Sequence, residues 1–230
     1  MKYVDVKAKA FEPVEVALPH VPAASEKPYM SYGKRLLDLC LALLILPIVL
    51  PVILIACLVV RRDGAAGLFT QERIGKDAKP FKCYKIRTMV PDAEARLQEY
   101  LKTDPEIARE WTVNQKLRKD PRITKTGGFL RSSSIDELPQ IFNVIRGDMS
   151  FLGPRPFMSD QEEMYRAAGG SAYFHLRPGI SGPWQVYGRG ETSFAARVDF
   201  DNKYLRNLSL MNDLALIFHT IRVVVSRSGH

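Results

Sequence analysis

The chain has 230 residues, enough for one domain of ordinary size with appendages. Its 33 lysines and arginines outnumber its 25 aspartates and glutamates, so its partners are expected to be anionic, whether nucleic acid, anionic lipid or a phosphorylated substrate. Three cysteines without metal-ligand spacing argue against a disulfide framework and a zinc site, and they indicate reduced thiols.

The first 31 residues contain four prolines, mixed charge and little periodicity. This composition predicts an extended or disordered cytoplasmic tail. Residues 14–18 form a short run that is compatible with one strand, to which no function is assigned.

A run of 22 uncharged residues follows, from 39 to 60. As a helix it would be about 33 Å long, which matches the ~30 Å hydrocarbon core of a bilayer. It begins too late for a signal peptide, and no small-residue cleavage site follows it. The run therefore predicts a membrane-inserted helix.

Two prolines and two basic pairs bear on how this helix meets the membrane. Pro47 and Pro51 interrupt the middle of the run, and the pairs at 34–35 and 61–62 flank it. The positive-inside rule favours the cytoplasmic side for both pairs, which a helix broken at a proline would satisfy by leaving through the face it entered. A kinked spanning helix fits the pattern equally, because prolines are tolerated in transmembrane helices. Asp38, just after the first pair, is predicted to be an interfacial ion-pair partner.

Residues 61–90 contain eight lysines and arginines against three acidic residues, which predicts a cytoplasmic location for the chain beyond the membrane helix. Residues 68–74 and 81–89 have strand patterns, and the turn residues between them predict a hairpin. The strand period of two places Lys85 and Arg87 on one face. That face fits a solvated edge or attraction to anionic lipid, and it fits equally a pair of phosphate ligands.

Helical patterns occupy much of the remaining chain. They cover 91–118 as two charged helices, 157–168, 194–205 and 209–225. Pro91, Asp104 with Pro105, and Ser209 are expected at helix starts. The last helix has a broad apolar face, which is compatible with packing on the core and with lying in a membrane interface.

Two adjacent carboxylates, Asp136 and Glu137, stand where an apolar helical run begins. Ser134 followed three residues later by Glu137 fits a capping box, so a purely structural role is one interpretation. Pro139 supports a helix start close to Asp136, and Gly147 is expected to end the helix.

The second interpretation of these carboxylates is chemical. A carboxylate can act as a covalent nucleophile toward phosphorus, provided that cations offset the phosphate charge. Arg131, Arg155 and Arg177 lie nearby in the sequence, and prolines stiffen the backbone at the last two. An arginine on a stiff loop suits bidentate phosphate recognition, whereas pairing with a nearby acid is the alternative for each one alone.

Three motifs in order make the sequence recognisable. They are SIDELPQ at 134–140, RGDMSFLGPRP at 146–156 and RPGISG at 177–182. From about residue 32 to the C-terminus, the chain resembles the bacterial sugar transferase family, the monotopic phosphoglycosyl transferases that act on polyprenol phosphate. The likeness is greatest to members that initiate exopolysaccharide synthesis with galactose phosphate or glucose phosphate.

The resemblance implies a mechanism and a site. Asp136 would attack the β-phosphorus of a UDP-sugar, with UDP-galactose or UDP-glucose favoured, release UMP and pass the sugar phosphate to undecaprenyl phosphate. Asp136 and Glu137 would hold Mg²⁺, and Glu137 would serve as a base or as a metal ligand. The phosphate-binding residues would be Lys85, Arg87, Arg131, Arg155 and Arg177. Asp201 and Tyr204 would help to form the sugar or uridine pocket, and Pro51 would be the break of a re-entrant membrane helix.

The expected fold class is α+β (mixed α/β), a small sheet or hairpin wrapped by helices, with a re-entrant membrane helix and interfacial helices. Residues 1–31 would form a flexible tail, 32–62 the membrane-inserted helix and 63–230 the catalytic domain. The resemblance implies the bacterial inner membrane, with this domain facing the cytoplasm. Expected partners are UDP-sugar, undecaprenyl phosphate, membrane lipids, and copies of the chain or polysaccharide-assembly proteins, and not nucleic acid.

A second hypothesis uses the basic charge without chemistry. The chain would be a single-span membrane scaffold that binds anionic lipid, nucleic acid or an assembly partner. This hypothesis predicts that the two ends of the 39–60 run lie on opposite sides of the membrane, and that Asp136→Asn is nearly harmless. The ordered motifs favour the enzyme.

Overall fold

The structure is a computed structural model that describes residues 28–114, 117–188 and 194–225. The strand predicted at 14–18 and residues 1–27 of the predicted tail lie outside the described residues. Residue 29 already belongs to a helical turn, Tyr29–Gly33, which leads directly into the first long helix. Residues 29–31, which were predicted to belong to the tail, are therefore helical.

Helices and short strands alternate along the chain, which confirms the predicted mixed helix-and-sheet class. The helices are α1 (Lys34–Val60), α2 (Ala93–Thr103), α3 (Pro105–Asn114), α4 (Lys125–Ser132), α5 (Gln140–Arg146), α6 (Glu162–Ala167), α7 (Arg197–Arg206) and α8 (Leu210–Val225). The strands are β1 (Leu68–Ile74), β2 (Pro80–Ile86), β3 (Ser150–Leu152) and β4 (Gly179–Ser181).

Strands β1 and β2 form the predicted hairpin. They pair antiparallel, from Leu68 opposite Ile86 to Ile74 opposite Pro80. Phe81, Cys83 and Ile86 of β2 are buried, and Phe81 and Cys83 lie in one cluster of the core. Strand β2 ends at Ile86, three residues before the predicted end.

Strands β3 and β4 form a short parallel pair that joins two loops distant in sequence. Ser150 lies opposite Gly179, and Leu152 lies opposite Ser181. The backbones beyond β3 approach closely, because a Cβ at Gly153 would stand 2.3 Å from the carbonyl oxygen of Arg177. Glycine is therefore required at this crossing, which fixes the GPRP loop against the RPG loop.

Helix α1 keeps one face on the rest of the protein along its length. Ala42 and Ile53 pack with Ile141 of α5 in one buried cluster, and Ala56 packs with Leu130 of α4 in another. The other side of α1 is exposed and apolar, and it includes Leu43, Leu44, Ile48, Leu54, Ile55 and Leu58. The helical stretch Tyr29–Asp63 is long and apolar enough to cross a membrane, as judged by length and composition.

Both ends of α1 contact the same domain. At the start, the Arg35 guanidinium donates hydrogen bonds to the carbonyl oxygens of Val144 and Ile145 in α5. At the end, Arg87 donates a hydrogen bond to the carbonyl oxygen of Val60 at 3.3 Å. The two ends are thus fixed to one body of protein, and the exposed apolar side chains lie between them.

Pro47 and Pro51 both lie inside α1, which continues through them as one helix. Each proline removes a backbone donor and can bend a helix without ending it. The prediction of two helical halves that meet at Pro51 is replaced by one element that contains both prolines.

The start of α1 is attached to α8 through Asp213, which is fully buried. The Asp213 carboxylate accepts hydrogen bonds from the Tyr29 hydroxyl at 2.6 Å, the Lys34 ammonium at 2.8 Å and the Tyr204 hydroxyl at 2.8 Å. We call these four side chains the joint. Lys34 therefore pairs with Asp213, on a helix 179 residues further along the chain.

Asp38 corrects one prediction. Asp38 was predicted to be an ion-pair partner at the membrane interface. It is instead buried, with 2 % of its surface exposed. One of its carboxylate oxygens accepts hydrogen bonds from the Ser150 hydroxyl and the Phe151 backbone amide, at 2.9 and 3.0 Å. Asp38 thus fixes strand β3 to α1.

The helix starts follow local signals. Asp104 accepts hydrogen bonds from the amides of Glu106 and Ile107, and Ser209 accepts one from the amide of Asn212, so both predicted caps are confirmed. The apolar side chains of helix α8 fall into two sets. Leu216 packs in the core, whereas a second set of apolar side chains remains exposed. The exposed set comprises Leu210, Met211, Leu214, Phe218 and Ile221.

Candidate functional site

The two carboxylates lie in an irregular turn and not in a helix start. Ser134 has a left-handed backbone, with φ at 57°, and its side chain makes no capping hydrogen bond, so the predicted capping box is wrong. Residues Ile135–Glu137 form a single 3₁₀ turn, and α5 begins only at Gln140. A left-handed residue other than glycine is uncommon and tends to occur where function constrains the backbone. Gly147 ends α5 as predicted, with φ at 92°.

The turn that carries the dyad, Asp136 and Glu137, rests on α1. Ile135 packs in the cluster of Ala56 from α1, and Leu138 packs in the cluster of Ala42. The residues on both sides of the dyad are thus held by the apolar helix. The carboxylates therefore lie next to the part of the molecule that suits a membrane.

Glu137 lies between two cations from separate elements. The Lys85 ammonium of β2 is 3.0 Å from its Oε1, and Arg155 Nη2 of the GPRP loop is 3.7 Å from the same oxygen. The Glu137 and Lys85 side chains are each 21 % exposed, so the pair is partly screened from water. The dyad, β2 and the GPRP loop thus come together at Glu137.

Asp136 is the more buried member of the dyad, with 8 % of its surface exposed. Burial raises the pKa of its carboxyl, the Glu137 charge raises it further, and Lys85 and Arg131 act in the opposite direction. A buried carboxylate between a like charge and two cations is a common arrangement in reactive sites.

Arg131 lies in the last turn of α4, and its charge lowers the pKa of Asp136. Its Nε donates a hydrogen bond to the Thr88 hydroxyl at 2.8 Å, which orients the guanidinium. The start of α4 is fixed by Thr124, whose hydroxyl accepts a hydrogen bond from the Gly127 amide at 2.9 Å. A Cβ at Gly127 would stand 1.9 Å from the Thr88 carbonyl oxygen, so α4 approaches this strand end closely.

Asn143 aligns β2 with α5 and so positions Lys85. Its Oδ1 accepts a hydrogen bond from the Tyr84 amide at 3.0 Å, and its Nδ2 donates one to the Lys82 carbonyl oxygen at 2.8 Å. Asn143 is completely buried. The Asn143 side chain bonds the backbone of β2 as a neighbouring strand would. It therefore fixes the position of β2 relative to the dyad.

A small cavity opens beside the dyad. Arg73, Lys85 and Arg155 line it together with Glu137 and Gln140, and the β4 residues Gly179 and Ile180 close one side. Three cations thus face one carboxylate in this space. Such an excess of positive charge suits a phosphorylated ligand.

Two of the predicted phosphate ligands lie elsewhere. The Arg87 guanidinium forms a bidentate pair with Asp63 at 2.6 and 2.8 Å, and it also contacts three backbone carbonyl oxygens. Arg177 donates a hydrogen bond from Nε to the Gly147 carbonyl oxygen and lines a second cavity with Lys34, Lys76 and His175. Arg87 therefore fastens the end of α1, and Arg177 holds the end of α5.

The predicted sugar or uridine ligands are also occupied. Tyr204 is buried in the joint, where its hydroxyl contacts Asp213 and the Leu152 carbonyl oxygen. Asp201 is 3 % exposed and accepts a hydrogen bond from the Tyr165 hydroxyl at 2.8 Å. Burial raises the pKa of Asp201 to about 7. Both residues make contacts inside the domain.

Two arginines near the site were missed by the sequence reasoning. Arg73, in β1, lines the cavity beside the dyad, and its Nη2 donates a hydrogen bond to Gln71 Oε1 at 2.6 Å. Arg197, the first residue of α7, lies over the rings of Trp184 and Phe194 at 4.2 and 4.6 Å. For Arg73 the sequence did contain a signal, because the strand period of two places Arg73 and Gln71 on the same face of β1. The sequence has no local signal for the second.

Within the described residues, Asp136 and Glu137 are the adjacent carboxylates that this site could offer to a metal ion. In the described part of the chain, no group of three or more histidine, cysteine or acidic residues could hold a metal ion. Mg²⁺ is often bound by one or two carboxylates together with substrate phosphates. The dyad fits a metal that is shared with a phosphorylated substrate and not one enclosed by protein ligands alone.

Comparison with known proteins identifies a family and several relatives. A family model described as bacterial sugar transferase matches residues 29–227. The chain is 45 % identical over 215 residues to a UDP-galactose-lipid carrier transferase of Erwinia amylovora. The aligned region covers 94 % of this chain and 45 % of that protein. It is 41 % identical over 215 residues to an undecaprenyl-phosphate galactose phosphotransferase of Salmonella typhimurium, with the same coverage of each.

The chain spans about half the length of those two relatives, at 45 % of each. A shorter relative matches almost from end to end. This is the exopolysaccharide production protein ExoY of Sinorhizobium fredii, which is 41 % identical over 204 residues, or 88 % of this chain and 90 % of that protein. The matched region includes the dyad, the GPRP loop and α1, because the family model covers all three.

Proposed function

Because the chain belongs to the bacterial sugar transferase family, we propose that it transfers a sugar-1-phosphate from a UDP-sugar to undecaprenyl phosphate and releases UMP. The names of the Erwinia and Salmonella relatives support the donor and the acceptor. One observation carries the proposal. The buried Asp136 lies among cations, in a turn whose flanking residues pack on an apolar helix.

The first step uses Asp136 as the nucleophile. An oxygen of its carboxylate forms a bond to the β-phosphorus of the UDP-sugar, and the bond from that phosphorus to the bridging oxygen breaks. The bridging oxygen leaves with the electron pair as part of UMP. Lys85, Arg131 and Arg155 are suited to offset the charge that develops on the phosphoryl oxygens.

The second step regenerates the enzyme. A phosphate oxygen of undecaprenyl phosphate attacks the same phosphorus, and the bond between that phosphorus and the Asp136 oxygen breaks. The product is a polyprenol-diphospho-sugar, and the carboxylate is free again. Glu137, which lies beside Lys85, is positioned to accept a proton from the acceptor phosphate.

Mg²⁺ is part of the proposal as a cofactor held by Asp136 and Glu137 together with the diphosphate. When bound, the ion would supply positive charge to the phosphates. Lys85 and Arg155, which contact Glu137, would add positive charge near the phosphates from the protein side. Omission of Mg²⁺ is expected to slow the first step more than it weakens acceptor binding.

The membrane arrangement follows from α1. We place this helix in the bacterial inner membrane in a re-entrant form, with the domain on the cytoplasmic side. Both ends of α1 contact the same domain, which supports the re-entrant form over a single span. The basic pairs at 34–35 and 61–62 support the cytoplasmic side for both ends. A lipid-linked acceptor in the bilayer could then reach the dyad beside α1.

The experiment that tests the proposal is a donor panel. Purified full-length protein receives UDP-galactose, UDP-glucose or a UDP-N-acetyl sugar, with Mg²⁺ and undecaprenyl phosphate, and UMP release is measured. The expected result is release from UDP-galactose or UDP-glucose. Asp136→Asn should lower it by about 10³-fold or more and abolish the protein-bound sugar phosphate that forms when the acceptor is omitted.

Asp199→Asn is the matched control, because Asp199 is exposed on α7. It should retain wild-type activity. Full activity of Asp136→Asn would disprove the covalent mechanism. Absence of release from all of the tested donors, with a folded protein, would favour the scaffold hypothesis.

A further inference from the structure

The second cavity lies beside the start of α1, and it shares no lining residue with the cavity beside the dyad. Lys34 and Asp38 of α1 line it at one end, and both are buried. Lys76, from the turn of the β1–β2 hairpin, and His175 also line it, and both are exposed. The cavity therefore has a buried end at α1 and an open mouth.

The buried end contains a carboxylate oxygen without a partner. Oδ1 of Asp38 accepts the hydrogen bonds from Ser150 and Phe151. Oδ2 of the same carboxylate is buried and has no hydrogen-bond partner within the described residues. A buried carboxylate oxygen without a donor is costly. Because Asp38 lines the cavity, this oxygen indicates a place for a ligand group that donates hydrogen bonds.

The neighbouring cations of α1 are already engaged. The Lys34 ammonium is 2.8 Å from Oδ2 of Asp213, the carboxylate at the centre of the joint. The Arg35 guanidinium is bonded to two carbonyl oxygens of α5. Across the described parts of the chain, Asp38 belongs to no ion pair. A positively charged ligand group would therefore supply both the missing donor and the missing charge.

The mouth of the cavity has the opposite charge. Lys76 and Arg177 line the cavity from separate segments, and the ion pairs of the described residues include neither of them. The Arg177 Nε is bonded to the Gly147 carbonyl oxygen, which holds the guanidinium in place. Two cations from separate segments suit a phosphate.

The two ends together are complementary to a zwitterion. A ligand that joins a terminal ammonium to a phosphate would place the ammonium at Asp38 and the phosphate at Lys76 and Arg177. The cavity volume is about 30 Å³, which is enough for a group the size of an ammonium. An ammonium has three donors, so it can satisfy the free carboxylate oxygen while the phosphate stays at the mouth.

The surroundings of the cavity favour a lipid as the source of this group. Leu36, in the first turns of α1, is an exposed apolar residue. Leu208 lines the cavity just before α8, and the exposed apolar side of α8 begins at Leu210. The cavity thus lies where two helices with exposed apolar sides meet. A phospholipid could place its headgroup in the cavity while its acyl chains cover those sides.

We propose that this cavity binds the headgroup of an amine-bearing phospholipid, with the ammonium on Asp38 and the phosphate at Lys76 and Arg177. The inference rests on the proposed membrane position of α1 and not on the proposed chemistry. A bound headgroup gives Asp38 a counter-charge and attaches the start of α1 to the headgroup layer. The ligand therefore fixes how deeply α1 lies in the membrane.

The first test compares three phospholipids with identical acyl chains. The full-length protein in detergent receives equal amounts of phosphatidylethanolamine, phosphatidylcholine and phosphatidylglycerol, and the bound lipid is measured by native mass spectrometry. Phosphatidylcholine has the same charges but no N–H donor, and phosphatidylglycerol has hydroxyls in place of the ammonium. The wild type should retain phosphatidylethanolamine at least about tenfold over either of the others, since only its ammonium donates charged hydrogen bonds to Asp38.

Asp38→Asn should reduce this preference to within about twofold, because the amide lacks the negative charge. Its oxygen can still accept the hydrogen bonds from Ser150 and Phe151. Asp199→Asn, at an exposed position of α7, is the control and should keep the wild-type preference. Equal retention of the three lipids by the wild type, or an unchanged preference in Asp38→Asn, would overturn the inference.

The second test concerns the mouth. Lys76→Gln should weaken binding of phosphatidylethanolamine by about fivefold or more, because it removes a charge that faces the phosphate. Lys79→Gln is the matched control, because Lys79 is exposed in the same connection but does not line the cavity. Equal binding by the two variants would overturn the placement of the phosphate. If Asp38→Asn does not fold, the lipid comparison in the wild type and this pair of variants still decide the inference.

Soluble phosphoethanolamine distinguishes a lipid from a free headgroup. It should displace the bound lipid only at millimolar concentrations, because it lacks the acyl chains. Displacement at micromolar concentrations would assign the cavity to a soluble phosphate ester and overturn the lipid source. Lipid binding is measured without UDP-sugar, so Asp136→Asn should keep the wild-type lipid preference. Failure of the lipid site and failure of the proposed transfer reaction are therefore separate results.

Discussion

Two groups of charged side chains contact α1 or the turn that rests on it, and they differ in how completely their charges are matched. In the joint, Lys34 and two tyrosine hydroxyls satisfy the Asp213 carboxylate, which is fully buried. Around the dyad, cations from four elements outnumber the carboxylates they face, and a cavity remains. A buried network that satisfies itself holds helices together, whereas an unmatched excess marks a place for a ligand.

The difference shows that similar residue types can take different roles that the local sequence does not distinguish. Tyr204 and Arg177 occur in or near motifs that resemble a substrate site, yet their polar atoms are used within the domain. Arg73 and Arg197 occur in ordinary-looking strand and helix segments, yet Arg73 lines the cavity beside the dyad and Arg197 lies over two aromatic rings. Whether a polar group is satisfied depends on long-range contacts, which local sequence does not reveal.

The largest expected effect is on the joint. Asp213→Ala would leave Lys34 buried without its carboxylate and two hydroxyls without their acceptor. Removing one partner of a buried ion pair costs about 3–5 kcal/mol. Thermal unfolding in detergent should therefore show a Tm lower by roughly 10 °C.

The matched control for the joint is Asp199→Ala on the exposed side of α7, which should leave the Tm nearly unchanged. A wild-type Tm for Asp213→Ala would mean that the joint is not a structural network. It would also remove the difference in charge matching between the joint and the surroundings of the dyad.

The next effect concerns stability against pH. The folded pKa of Asp201 is raised to about 7 by burial, whereas an unfolded aspartate titrates near about 3.9. Between these values the folded state holds a proton that the unfolded state lacks, so stability falls as pH rises and levels off above about 7. The Tm of the wild type should therefore decline from pH 5 to pH 8.

Asp201→Asn should reduce that decline, because the amide cannot ionise but can still accept the hydrogen bond of the Tyr165 hydroxyl. The same scan on Asp199→Asn should retain the wild-type slope. A slope that is identical in Asp201→Asn and the wild type would show that Asp201 is not the group that titrates.

A smaller effect distinguishes Lys85 from Arg87, which share a strand face in sequence. Lys85 contacts Glu137, whereas Arg87 is paired with Asp63 at the end of α1. Lys85→Gln should lower kcat/KM for the UDP-sugar by about 100-fold with little change in Tm. Arg87→Gln should lower the Tm by a few degrees and change kcat/KM less. The reverse pattern would show that Arg87 and not Lys85 serves the phosphates.

Local signals account for what sequence predicted well. The hairpin followed from alternation and turn residues, and the starts at Asp104 and Ser209 followed from capping chemistry. The end of α5 at Gly147 followed from the need for a left-handed residue. The dyad and Arg155 were predicted from the family motifs, and the structure brings them together.

Other features depended on contacts that no local pattern contains. The β3–β4 pair joins residues about thirty positions apart, where the backbones of Gly153, Gly179 and Gly182 approach closely. The capping box failed because Ser134 takes a left-handed backbone, which displaces the start of α5 to Gln140. Asp38 was expected at an interface, but β3 passes over it and buries it. Each of these outcomes is set by packing between distant segments.

The smallest expected effect belongs to Tyr204, and it tests the comparison most directly. Tyr204→Phe removes one hydrogen bond to Asp213 and a longer one to the Leu152 carbonyl oxygen, and it keeps the buried ring. The cost should be about 1 kcal/mol of stability, or roughly 2–4 °C in Tm. KM for the UDP-sugar should stay at the wild-type value, because the hydroxyl is used inside the joint. A raised KM with an unchanged Tm would return Tyr204 to the sugar or uridine pocket, and it would show that a satisfied network next to α1 can also bind substrate.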